Sequence, residues 1–155
     1  MPPRLKSPGE AELLDIKTPS LRHLYHDWQE RRRGREFPSR SDFDVLDLGY
    51  IIGNLSLLDV FFQPLRFRFR LHASRVTERV GYEMTGKDLD ILPARDSRET
   101  VWRHFVDVIN RRVPIVQVRE RQISDDRILP CEVLALPLAR DGSTIDMLMS
   151  GLVWL

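Results

Sequence analysis

From Pro114 to Leu155 the chain reads as three extended runs in succession: PIVQVRERQI at 114–123, ILPCEVLALPL at 128–138 and IDMLMSGLVWL at 145–155. Only SDDR and ARDGST separate them, and both are rich in turn formers. Connections that short return a strand beside its predecessor, so the last third is an antiparallel three-stranded meander. A sheet of this kind buries at least one face, and the rest of the chain has to supply the cover.

Two more extended runs lie upstream. NLSLLDVF at 54–61 and LRFRFRLH at 65–72 are separated by Phe62, Gln63 and Pro64, which fits a hairpin. The helical elements have their own signals. Thr18, Pro19 and Ser20 supply helix-start chemistry, and Leu21, Leu24, Tyr25 and Trp28 then recur at the spacing of one apolar stripe, predicting a helix to about Arg33 that stops at Gly34. After the loop FPSRSDFD, DVLDLGYII reads as a short helix ending near Gly53 and Asn54. ASRVTERVG at 73–81 reads as another, and YEMTGKDLDIL at 82–92 as irregular chain with one further helical turn. Asp96 and Ser97 can cap a longer helix through Arg112, with Glu99 placed for a capping box and Val101, Trp102, Phe105, Val108 and Ile109 at helical spacing.

Residues 1–17, with Pro2, Pro3, Pro8 and Gly9 among charges, are expected to form a loosely held arm. Residues 18–155, including the N-terminal helix 18–34, are expected to form a single domain, the size that 155 residues allow. The fold class is α+β: five mostly antiparallel strands with helices packed on one face and an added N-terminal helix.

The stretch PLRFRFRLHASR sets Arg66, Arg68 and Arg70 against Phe67, Phe69 and Leu71. In a strand the two sets point to opposite sides, so the rings and Leu71 face the core and the guanidinium groups face away. A sheet that grips nucleic acid needs its aromatics on the cationic face. Acidic residues in neighbouring strands, Asp59, Glu120 and Glu132, are the expected partners of the arginines. Twenty-four basic against 23 acidic residues, a net charge of +1, add no field toward a polyanion. Nucleic acid is therefore disfavoured as a partner. The cluster RRRGR at 31–35 reads as cations at a helix C-terminus, where they complement the exposed carbonyls.

Cys131, the only cysteine, sits in the apolar run ILPCEVLAL, which reads as an inert packed thiol in a reducing interior. No stretch approaches the roughly 20 apolar residues of a membrane helix, and the N-terminus lacks a signal-peptide core; no membrane partner and a cytoplasmic location are expected. The histidines are His23, His26, His72 and His104, and His23 and His26 have no third ligand that would complete a metal site. GxSxG, P-loop, HExxH and CxxC motifs are absent, and the expectation is a protein that is not an enzyme. A ligand-binding sensor and a protein-interaction module remain as the two classes.

Several blocks in order resemble a stand-alone bacterial group of PAS domains: the leading helix with Trp28, FPSRSDFDVLDLGYIIGNLSLLDV, PLRFRFRL followed at once by HASRVTERVG, MTGKDLDIL, and LPCEVLALPLARDG. The resemblance implies a five-stranded antiparallel sheet in which strand 54–61 lies between 65–72 and 145–155. It implies helices at 73–92 and 96–112 across the concave face, and a small molecule held between them and the sheet. It also implies pairing with a second copy through the N-terminal helix and the outer sheet face, which makes Leu21, Leu24, Tyr25 and Trp28 the expected interface. Where relatives often carry Val-Gly-Thr after the second strand, this chain has His72, Ala73 and Ser74, so a polar contact there passes to Ser74 or His72. Arg75 is placed at the pocket mouth. No cysteine stands in the helical excursion, where flavin-adduct photosensors keep theirs, and His72 and His104 are the only histidines near it for a haem iron. Phe67, Phe69, Leu71, Val76, Phe105, Ile109, Val118, Val133 and Met147 either close-pack or line the pocket, and the identity of any cofactor is left open.

Overall fold

A computed structural model describes residues 15–93 and 98–155. The Asp96 and Ser97 cap, and all of the expected arm before Asp15, lie outside the described residues. Five strands form one sheet: β1 Leu55–Phe61, β2 Arg66–Leu71, β3 Ile115–Gln122, β4 Ile128–Leu138 and β5 Met147–Trp154. Their order is β2-β1-β5-β4-β3, antiparallel throughout, with β1 between β2 and β5 as the resemblance implies. The helices are α1 Pro19–Arg31, α2 Ser74–Val80 and α3 Arg98–Arg111. Segments 40–42, 45–48, 52–54 and 89–91 are single 3-10 turns, so DVLDLGYII is two short turns rather than one helix.

The two faces of the sheet are covered by different elements. α2 and α3 lie across the concave face. Phe67 meets Trp102 and Phe105 of α3 edge-on, with ring centroids 5.2 and 5.6 Å away, which accounts for the buried half of the RFRFRL alternation. Val76 and Val80 of α2 join Ala73, Cys131, Val133 and Leu152 in a second small cluster, and Gly81 ends α2 in the left-handed conformation. α1 lies on the outer face. Leu21, Leu24, Tyr25 and Trp28 are wholly buried there, and the Trp28 indole donates to the Pro137 carbonyl at 2.8 Å. β4 is thus covered on both sides, which is why CEVLALPL is a continuous rather than alternating buried run.

The arginine stripe is an ordinary outer face. Arg70 pairs with Asp59 of the neighbouring strand at 3.1 Å, while Arg66 and Arg68 pair with Asp88 at 3.7 and 3.0 Å and stack over Phe61. Of the other expected partners, Glu120 is exposed and Glu132 is buried beneath α1. At the end of α1, Arg35 donates to the carbonyls of Arg31 and Arg32 at 2.8 Å, so the RRRGR cluster closes its helix as expected.

Three expected core positions point the other way. Leu71 is 40% exposed because β2 carries a bulge: Leu57 pairs with Leu71 and Leu58 with Phe69, leaving Arg70 as the extra residue and reversing the alternation beyond it. Val118 is 48% exposed because the apolar and polar positions of β3 are inverted relative to the core. Met147 lies on the outer side of β5 opposite Asp59, since the inward positions of that strand are Leu148, Ser150 and Leu152.

Candidate functional site

The inversion of β3 builds a distinctly polar place between the sheet and the helices. Alternation along VQVRERQ turns Arg119 and Arg121 toward the helices and Val118 and Glu120 toward solvent. A small cavity of about 30 Å³ opens between sheet and helices, lined by Ser56, Phe69, His72, Val76, Leu92, Val101, Arg119, Arg121, Ser150 and Leu152. Space of that size admits roughly two water molecules. Among the described residues no carboxylate lines it.

Each polar group in this lining is held by a specific neighbour. Ser56 and Ser150 face each other across β1 and β5, and the Ser56 hydroxyl accepts the Ala73 N–H at 2.9 Å. The Nδ1 of His72 lies 2.8 Å from the Thr77 hydroxyl, and the His72 N–H donates to Thr85. Burial pushes the His72 ring down to about 4; Glu83 on the rim opposes the shift and Arg121 adds to it. Arg121 donates to the Tyr82 hydroxyl at 3.2 Å.

Arg119 is organised through α3. Its guanidinium donates to Nδ1 of His104 at 3.2 Å and to the Gln117 side-chain carbonyl at 3.4 Å, while its buried Nε–H has no acceptor among the described residues. The other His104 nitrogen lies 2.9 Å from the Ile115 carbonyl, which accepts only from a protonated Nε2. His104 is therefore neutral with a lone pair on Nδ1, and burial pushes its ring down to about 4, with Arg119 contributing. Burial likewise draws Arg119 down to about 10, Cys131 opposing and Arg121 adding to the shift; it remains a cation at neutral pH. With both nitrogens engaged, His104 offers no lone pair to a haem iron, and the described residues contain no group of three or more metal-ligating side chains.

Of the residues expected around a pocket, Phe69 and Val76 line the cavity. Phe67, Phe105 and Val133 are close-packed core, and Ile109 sits at its margin. Leu71, Val118 and Met147 face outward. Ser74 and Arg75 lie exposed beside Gly53, in an open depression formed with residues 49–54 and Glu78, so neither stands at the cavity mouth. Of the two alternatives for a polar contact after β2, His72 is the one that reaches inside. The stripe Leu21, Leu24, Tyr25 and Trp28 is spent on the chain's own sheet and presents no surface to a second copy in this fold.

Sequence reasoning missed Ser56, Arg119, Arg121 and Ser150. For the two arginines the available signal was the strand VQVRERQ itself, in which an inward Arg119 and Arg121 with an outward Val118 is as regular an alternation as the reverse. The Cys131 thiol is buried on β4 opposite Arg119 and is pushed upward by burial despite the two arginines, as expected of an inert thiol. No described helix is long and apolar enough to cross a membrane.

A family model described as PAS domain matches residues 16–153. None of the curated proteins compared matches the chain. Among solved structures the chain is similar to a light-oxygen-voltage domain studied with a flavin analogue, at TM-score 0.52 and 12% identity over 72% of this chain and 82% of that one. It is also similar to the LOV protein of Rhodobacter sphaeroides, at TM-score 0.52 and 15% identity over 65% of this chain and 58% of that one. A third likeness is to the PAS domain of a Colwellia psychrerythraea protein, at TM-score 0.48 and 12% identity over 72% and 98%. The first two show that the fold is shared.

Proposed function

Because this chain belongs to the PAS domain family, we propose that it is a sensory or regulatory module that holds a small ligand in the cavity between sheet and helices and signals through contacts with a second copy or a partner protein. The observation that supports this reading is the buried lining of Ser56, His72, Arg119, Arg121 and Ser150. A domain core of this size is normally filled with apolar side chains, and buried polar groups are maintained where they meet something.

The flavin of the light-oxygen-voltage relatives does not fit. Cofactor pockets run to several hundred Å³, against about 30 Å³ here. The chain's sole cysteine is on β4 rather than in the helical excursion.

A second reading has its own support. Phe67, Trp102 and Phe105 fill the space in front of β1 and β2, so most of the expected pocket wall is packed core. A ligand-free interaction domain would have this interior. Native mass spectrometry of the purified protein, combined with a thermal-shift screen, separates the two. A bound or stabilising small molecule supports the sensor; none in either measurement leaves the interaction domain.

A further inference from the structure

We propose that the ligand of this cavity is a small carboxylate, of formate or acetate size, taken by the side-on fork of Arg119 with Ser56 as a further donor. This deepens the sensor reading and rests on it. Three observations carry it.

The first is the state of Arg119. Its guanidinium donates to a neutral imidazole and a neutral amide, and its Nε–H, buried in the site, meets no acceptor among the described residues. A guanidinium presents Nε–H and one Nη–H in parallel, the spacing that the two oxygens of a carboxylate match. Arg121 lies on the same face two residues along and close enough to depress Arg119. Among the described residues no Asp or Glu lines the cavity.

The second is pre-organisation. Ile115 fixes the tautomer of His104, and His104 then fixes Arg119 by accepting from Nη1. The chain of bonds aims the cation before any ligand arrives, which removes part of the ordering cost of binding. Across the cavity Ser56 accepts the Ala73 N–H, leaving its own hydroxyl proton to donate.

The third is size. About 30 Å³, the room of roughly two water molecules, leaves no place for a ligand much larger than formate or acetate. Inward charges on an edge strand also discourage strand-to-strand association, and β3 is an edge strand. That role needs a charge on β3 but neither a buried, unbonded Nε–H nor a histidine dedicated to aiming it.

The test is an NMR titration of the full 155-residue chain with sodium formate and sodium acetate at constant ionic strength, sodium chloride serving as the balancing salt. Saturable shifts of the Arg119 Nε–H signal and of the backbone amides of Ser56, His72 and Ser150 are expected in wild type; read from those amides, affinity should be at least tenfold weaker in Arg119→Gln and in Arg119→Lys, which keeps the charge and loses the fork. Arg103→Gln, which breaks only the exposed pair with Glu99, should bind as wild type does. Chloride shifting the same signals with equal affinity would overturn the carboxylate assignment, as would carboxylate binding unchanged in both Arg119 variants. A neutral compound bound equally well by wild type and Arg119→Gln would overturn the assignment and leave the sensor reading standing. If neither carboxylates nor a neutral metabolite set moves any signal from the cavity lining, both fall.

Discussion

Glu132, wholly buried on the outer face of β4, accepts the backbone N–H of Thr18 at 2.8 Å, and its second oxygen accepts that of Lys17 at the same distance. Thr18 is the residue before α1, and its own side chain makes no capping bond. The start of α1 is thus anchored from the sheet, more than a hundred residues away, through the two N–H groups that lead into it rather than through a side-chain cap at Thr18. Glu132→Gln replaces one acceptor with an amide that points its hydrogens at a backbone donor. A loss of about 1–3 kcal/mol in urea unfolding is expected, with faster hydrogen exchange at the start of α1.

At Gly151 the side chains of α1 pack directly against the backbone of β5. A methyl group built there would stand 2.7 Å from Leu21 Cδ2 and 3.2 Å from Leu24 Cδ2, both on fully buried side chains. Gly151→Ala should therefore lower stability by about 1–3 kcal/mol, and Leu21→Ala in the same chain should recover part of the loss by making room, a coupling measurable by a double-mutant cycle.

Trp28→Ala removes the largest fully buried side chain and leaves the Pro137 carbonyl without its indole donor. Stability is expected to fall by about 3–5 kcal/mol. Sedimentation at matched concentration should give a mass no lower than wild type, because the residue packs within its own domain. A drop from dimer to monomer, with the variant still folded, would contradict that placement.

Acid should weaken the fold through His72 and His104. Each ring is held down to about 4 from an ordinary value of 6.5, chiefly by burial. As pH falls from 6.5 toward 4 the unfolded chain takes up these two protons while the folded chain does not. The stability they permit is complete above 6.5 and is lost across that window, up to about 3 kcal/mol apiece. Urea midpoints measured through the interval should show the slope. His72→Asn, whose amide nitrogen can take the place of Nδ1, should remove about half of it.

Much of this architecture is legible in the sequence because its signals are local and agree with one another. Turn formers bracket the last three strands, the stripe of α1 has strict helical spacing, and the Phe67 and Phe69 alternation survives to the bulge. Leu71 was not readable because the bulge depends on pairing with Leu57 and Leu58, a register no local pattern records. The use of the α1 stripe was not readable because the same spacing serves a second copy or the chain's own sheet, and Glu132 and Gly151, both remote in sequence, decide between them. The cavity was the least readable part. Its polar side chains occupy positions that hydrophobic patterning gives to valine, a local conflict of the kind found where a fold carries a function.

Ser150 and Gly151 are successive residues of β5 that face opposite ways, the first into the polar cavity and the second against Leu21 and Leu24. One peptide unit therefore forms the whole partition between the interior and the seat of the leading helix. Pushing that plane outward would consume the space beside Leu21 and Leu24 that a bare Cβ at position 151 already overfills, at 2.7 Å from Leu21 Cδ2.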